Sequence, residues 1–152
     1  MSLTYGLRSA KDLLEKLRRE HSRIEREVTS DAFFNFVVTA YHLIEWVKKD
    51  PSIPAIAKND LSSVKSNSTI SVCRDLTNAS KHFSLNSNYK KQVTSGAVSM
   101  RGWGVGRYGR GGYGVGEESI SVELLDGTKY NAIALVRDTL RVWESFFAKH
   151  HL

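Results

Sequence analysis

Apolar side chains recur every three or four residues along the first part of the chain. Between residues 7 and 28 they form one stripe, made of Leu7, Ala10, Leu14, Leu17, His21, Ile24 and Val28. This spacing predicts an amphipathic helix of about six turns, with the charged side chains on its opposite, solvated face.

The second segment is apolar around most of its circumference. Residues 29–31 (Thr-Ser-Asp) supply N-cap chemistry, and the predicted helix runs from Ala32 to Lys49. A helix of this kind belongs in the middle of a bundle. Pro51 follows directly, and we expect a short helix or turn within residues 55–66.

Two further helices are predicted. One runs from Ile70 to about Phe83 with Ser68 or Thr69 as its N-cap, and its core stripe is Val72, Leu76, Ala79 and Phe83. The last helix begins after Thr128 or Asn131, and its stripe is Ile133, Val136, Leu140, Trp143 and Phe147.

Strict alternation appears just before the last helix. Ile120, Val122 and Leu124 alternate with polar residues, which predicts a strand, and Asp126-Gly127 is a tight-turn signal. Its partner strand is expected within residues 92–100.

These elements together predict a mainly α fold. We expect an antiparallel four- to five-helix bundle with a small β-hairpin insertion before the last helix. The chain is expected to form a single domain over residues 1–152, with the glycine-rich and β insertion at residues 84–130.

Charge is distributed unevenly along the chain. Twenty-two Lys and Arg against sixteen Asp and Glu give a net charge of +6. No acidic residue lies between Asp75 and Glu117, and this window holds six cations: Lys81, Lys90, Lys91, Arg101, Arg107 and Arg110. The excess therefore predicts one local cationic surface for phosphate or another polyanion, rather than a uniformly basic protein.

The remaining composition excludes several classes of protein. A hydrophobic content of 41% and a charged content of 25% are ordinary for a globular protein. With Cys73 as the single cysteine, a disulfide framework and a Cys-x-x-Cys metal cluster are excluded, and a reducing compartment is favoured. Neither a signal peptide nor a membrane span is apparent. We therefore expect a cytoplasmic protein without a membrane partner.

One helix face carries side chains suited to phosphate chemistry. Arg74, Asn78 and His82 recur every four residues, with Asp75 and Lys81 beside them. Arg can hold a phosphate bidentately, Asn can orient a hydroxyl, and His titrates near neutrality. The alternative is a helix C-terminus at which Lys81 and His82 complement the dipole, and the residues alone favour it.

The apolar helices, and Arg74-Asp75 followed by His82, resemble the HEPN superfamily, which consists of four-helix-bundle proteins of prokaryotic defence and toxin systems. The resemblance implies a metal-independent endoribonuclease that acts as a homodimer, with the sites across the dimer interface. Arg74 would stabilise phosphate charge, Asp75 would be the polar follower, and His82 would be the general acid or base. Seven residues separate Arg74 from His82, slightly more than the usual family spacing.

The second helix carries His42 and Glu45 one turn apart. If they face Arg74 and His82, the site gains a second imidazole and a carboxylate. The alternative, which the residues alone favour, is a core histidine paired with Glu45 or with a backbone carbonyl.

Residues 101–116 form a segment rich in glycine, arginine and aromatic side chains. The segment holds eight of the eleven glycines, three arginines and three aromatic residues. It resembles the Arg-Gly-aromatic segments of RNA-binding proteins, whose guanidinium and ring faces stack on bases. The alternative is a hairpin tip or an oligomer contact. Its Gly-x-Gly-x-x-Gly spacing lacks the βαβ context of a dinucleotide site.

The resemblance therefore implies a HEPN-like prokaryotic or phage-related protein that acts on RNA, with an endoribonuclease of a defence or toxin module as its catalytic form. The catalytic residues would be Arg74, Asp75, Asn78 and His82, without a metal or cofactor. The predicted nucleic-acid-binding residues are Lys81, Lys90, Lys91, Arg101, Trp103, Arg107, Tyr108 and Arg110. The alternative is a non-catalytic protein that binds nucleic acid, or a protein partner that it regulates, through the Gly-Arg-aromatic loop.

Overall fold

The computed structural model describes residues 3–82, 93–101 and 117–152, in which the chain is mainly helical with a small antiparallel sheet. The elements in chain order are α1 (Ala10–Arg26), α2 (Ser30–Lys49), α3 (Ala55–Lys65), α4 (Ser68–His82), β1 (Val93–Arg101), β2 (Glu117–Leu124), β3 (Lys129–Asn131) and α5 (Ala132–Lys149). The predicted mainly α fold with a β insertion before the last helix is confirmed.

Side-chain caps begin three of the helices, and at α2 and α5 the capping residue is one that the sequence predicted. Ser9 and Asp12 form a capping box at α1. The Thr29 hydroxyl accepts a hydrogen bond from the Ala32 N–H at 3.1 Å, and the Asn131 side chain caps α5. Local sequence therefore sets where these helices start.

The predicted cap of α4 is wrong by one or two residues. The Thr69 N–H donates to Asn67 Oδ1 at 2.9 Å, so Asn67 takes the capping role that was expected of Ser68 or Thr69. Ser68 is already the first helical residue. Asn67 was overlooked because three adjacent polar residues offer nearly equivalent capping chemistry.

The hydrophobic core draws side chains from all five helices. α2 contacts each of the other four helices, which fits its largely apolar sequence. Trp143 of α5 is fully buried, and its indole N–H donates to the Ala40 carbonyl at 3.0 Å. None of the helices in the described ranges is both long and apolar enough to cross a membrane.

The core-facing side of α4 differs from the predicted stripe. Val72 is buried, but Leu76 and Ala79 are only half-buried, and Phe83 lies outside the described residues. The helix instead buries Thr69, Ile70, Cys73, Asp75 and Thr77. The core stripe of α4 was predicted wrongly because a buried carboxylate needs a hydrogen-bond partner, and one partner of Asp75, the Val93 N–H, is remote in sequence.

The sheet has the strand order β1-β2-β3, and both pairs are antiparallel. The predicted partner strand is confirmed to within one residue at each end, and Ile120, Val122 and Leu124 are buried as their alternation predicted. The turn at Asp126-Gly127 is also confirmed, with Gly127 at φ +82°. It leads into β3, a third strand that was not predicted because it has only three residues.

Candidate functional site

The predicted nucleic-acid-binding residues fall mainly in the insertion. Lys90, Lys91, Trp103, Arg107, Tyr108 and Arg110 lie outside the described residues, so their role stays a prediction. Arg101 is the last residue of β1, where its Cα pairs with that of Glu117.

Three of the predicted catalytic side chains, those of Arg74, Asn78 and His82, follow one side of α4. Arg74 and Asn78 are half-buried, whereas Lys81 and His82 are exposed in the last turn. His82 lies eight positions after Arg74 on the helix, which is about 12 Å along the axis. Lys81 and His82 also lie in the last turn of α4, where cations complement the helix dipole, as the alternative interpretation expects.

Asp75 is fully buried and links α4 to the sheet. Its Oδ1 accepts hydrogen bonds from Arg74 Nε at 3.1 Å and Nη2 at 3.0 Å. Its Oδ2 accepts the backbone N–H of Val93, the first residue of β1, at 3.1 Å. The carboxylate therefore fixes one edge of the Arg74 guanidinium and the start of β1 at the same time.

Arg74 also lines a groove of about 260 Å³ between α2, the end of α3 and α4. We call this the Arg74 groove, and its polar lining residues include His42, Glu45, Lys48, Lys65, Ser71 and Arg74. The sequence left open whether His42 and Glu45 face Arg74, and the structure places all three in the lining of this groove. His82 is not among the residues that line this groove.

The interpretation of His42 as a core histidine is wrong. His42 is exposed on α2, as are Glu45 and Lys48. The buried side chains of α2 lie on its other sides, so the helix keeps one polar face despite its apolar composition. That polar face forms one wall of the Arg74 groove.

Like charges meet in the groove. Lys48 Nζ donates to Glu45 Oε1 at 2.8 Å, and this hydrogen bond lowers the pKa of Glu45 and raises that of Lys48. Lys65 is exposed, but slight desolvation lowers its pKa and the neighbouring Lys48 ammonium lowers it further, while the Glu45 charge acts in the opposite direction. Among the ion pairs within residues 3–82, 93–101 and 117–152, none involves Lys65.

Sequence reasoning missed Lys48 and Lys65 as functional candidates. Both lie outside the acid-free window, in parts of the chain where cations and anions balance in number. No local signal distinguishes them, because their proximity depends on how α2 packs against α3. The charge that matters in the groove is therefore set by tertiary structure.

The described residues show no group of three or more His, Cys, Asp or Glu side chains that could hold a metal ion. Cys73 is completely buried beside Thr139, with Sγ 3.8 Å from Oγ1. Burial raises the pKa of this thiol to about 12, so it is not an activated nucleophile.

Comparisons of the chain with protein-family models, curated proteins and solved structures find no match. The geometry of the Arg74 groove is therefore the basis for a functional proposal.

Proposed function

We propose that this chain is a HEPN-like protein that acts on RNA, and that its helices form the antiparallel four- to five-helix bundle of that superfamily. Its activity would be metal-independent endoribonuclease cleavage, in a prokaryotic or phage-related defence or toxin module. One observation carries the proposal: Arg74, held by the buried Asp75, lines an open groove together with an imidazole and two lysines. A guanidinium, an imidazole and further cations suit a phosphodiester.

Arg74 would stabilise the negative charge that develops on the phosphate as the ribose 2′-oxygen loses its proton and bonds to phosphorus. The bond from phosphorus to the 5′-oxygen would break, and the products would be a 2′,3′-cyclic phosphate and a protonated 5′-hydroxyl. Asp75 accepts two hydrogen bonds from one edge of the guanidinium, through Nε and Nη2. This pairing restricts the orientation of Arg74, so less side-chain freedom is lost when a phosphate binds. Asp75 is thus a positioning residue in this proposal.

The imidazole that transfers a proton would be His42 within one chain, because His42 and Arg74 line the same groove. His82 lies about two turns further along α4. It would serve best from a second copy of the chain, in the homodimer that the HEPN resemblance implies. The two histidines therefore make separable contributions to the proposed reaction.

The test is cleavage of an unstructured RNA in EDTA by the wild type and by Arg74→Ala, Arg74→Lys, His42→Gln and His82→Gln. We expect Arg74→Ala to lower the cleavage rate about 10²–10³-fold. Arg74→Lys keeps the charge near Asp75 but loses the forked guanidinium, so we expect it to fold normally and remain strongly impaired. Wild-type cleavage by folded Arg74→Ala would contradict the proposal.

A second candidate function is non-catalytic binding through the Gly-Arg-aromatic segment. The pairing of Arg101 with Glu117 brings the two ends that flank residues 102–116 next to each other. Replacing residues 101–116 with a neutral Gly-Ser linker should then weaken salt-sensitive RNA binding. Unchanged affinity after this replacement would rule out the second candidate.

A further inference from the structure

The Arg74 groove contains more positive charge than its own acidic side chains neutralise. Lys48, Lys65 and Arg74 reach it from three different helices, and Glu45 is the one acidic residue among the groove-lining residues that the structure describes. Asp75 pairs with Arg74 from the buried side and is not part of the groove lining. With Arg74 paired with Asp75 and Lys48 with Glu45, the groove keeps an excess of one positive charge, and an anion bound between the three cations would offset it.

The two lysines are close enough to repel one another. Lys65 is exposed at the end of α3, and both slight desolvation and the neighbouring Lys48 ammonium disfavour its charged form. Glu45 compensates for Lys48 through the 2.8 Å hydrogen bond. Its charge also favours the charged form of Lys65, but the ion pairs of the described residues include none that joins Lys65 to a carboxylate. Charged groups held in an unfavourable arrangement, inside a concave surface, are typical of a ligand site.

We propose that Lys48, Lys65 and Arg74 form a phosphate-binding subsite in the Arg74 groove. The volume of about 260 Å³ admits a phosphate group with part of its nucleotide and is below the range usual for drug-sized ligands. Arg74 supplies a planar fork for two phosphate oxygens, and each lysine supplies a point charge. The ligand class, a phosphate of RNA, rests on the proposed function, whereas the subsite itself rests on the groove.

The first arm of the test uses inorganic phosphate, with binding followed by phosphorus NMR and calorimetry on the full chain. We expect saturable binding by the wild type, and about tenfold weaker binding by Lys65→Gln and by Lys48→Gln. The matched control is Lys49→Gln, which makes the same change in net charge one residue further along α2. Lys49 lines a different groove, with Trp46 and Asp50, so its variant should bind phosphate as the wild type does.

A variant with the opposite effect makes the test sharper. Glu45→Gln removes the carboxylate that competes with the anion for Lys48, so we expect phosphate to bind a few times more tightly. Asp138→Asn removes one negative charge from the exposed surface of α5 and should leave the affinity unchanged. A loss of folding cannot imitate a gain of affinity.

The second arm identifies the source of the phosphate. Two 2′-O-methyl RNA oligomers of the same sequence, one with a 5′-phosphate and one with a 5′-hydroxyl, are titrated against the wild type and Lys65→Gln. A preference for the 5′-phosphate that disappears in Lys65→Gln assigns the subsite to a terminal phosphate. Equal affinities that fall together in Lys65→Gln assign it to an internal phosphodiester.

Absence of saturable phosphate binding, or equal losses in Lys49→Gln and Lys65→Gln, would overturn the subsite. The outcome is separable from that of the proposed function. If RNA cleavage depends on Arg74 but Lys48→Gln and Lys65→Gln leave the phosphate affinity unchanged, the subsite is refuted and the proposed function is not. Lysine-dependent phosphate binding by a chain that never cleaves RNA refutes the cleavage alone.

Discussion

Replacing Asp75 by alanine tests the contact that joins the proposed site to the fold. In Asp75→Ala the buried N–H of Val93 loses its acceptor, which costs about 1–3 kcal/mol. Arg74 loses its partner as well, but its side chain is 31% exposed, so water partly replaces the carboxylate and we count about 1 kcal/mol for this pair. The free energy of unfolding should therefore fall by about 2–4 kcal/mol.

The assay is urea unfolding of the wild type, Asp75→Ala and Asp75→Asn. The slope of the unfolding free energy against urea concentration should be the same in all three proteins. Asparagine keeps an oxygen for the Val93 N–H but loses the charge that faces Arg74, so we expect about half the loss of the alanine variant. Hydrogen exchange adds a local measure, because the Val93 amide should lose protection in Asp75→Ala.

The matched control is Asp138→Ala. Among the contacts that the structure describes, Asp138 makes only an exposed ion pair, with Arg141 Nη1 3.7 Å from Asp138 Oδ1. Its free energy of unfolding should stay within about 0.5 kcal/mol of the wild type. The reasoning would be refuted if Asp75→Ala were no more destabilising than this control.

Three further predictions concern the fold. Trp143→Phe loses the indole hydrogen bond to the Ala40 carbonyl and part of a fully buried ring, so urea unfolding should show a loss of about 2 kcal/mol. Cys73, buried with its pKa raised to about 12, should not react with a disulfide reagent in the native protein and should react once in denaturant. Hydrogen bonds, first of all that from Lys149, lower the pKa of Asp60 from 3.8 to about 2. The charged Asp60 carboxylate therefore stabilises the fold fully above about pH 4, and this stabilisation is lost as pH falls toward 2. The difference in urea stability between the wild type and Asp60→Asn should shrink over that interval, and a constant difference would contradict this assignment.

The helices were predictable because their signals are local. Three-four apolar spacing and polar N-caps such as Thr29 and Asn131 depend on neighbouring residues alone, and the structure has a helix at each predicted place. The paired strands followed in the same way from alternation and from the turn signal at Asp126-Gly127. By contrast, the three residues of β3 are too few to show a period.

The candidate site was predictable only in part, because it depends on contacts between remote residues. Arg74 was identified from its helix, but the burial of Asp75 follows from a hydrogen bond to Val93, 18 residues away. His42 was assigned to the core because α2 is largely apolar, and only the packing of α2 against α4 shows its exposed place beside Arg74. No sequence signal distinguishes Lys65, because its place in the groove depends on how α3 packs against α2 and α4.

The central claim is that RNA contacts the Arg74 groove, and mapping of amide chemical shifts with a 2′-O-methyl RNA oligomer tests it most directly. The blocked 2′-hydroxyl prevents cleavage during the measurement. We predict that the largest shift changes occur at residues 42–48, 65–71 and 74, and that they diminish in Arg74→Ala. Changes confined to β1, β2 and residues 102–116, with the groove unaffected, would contradict the account.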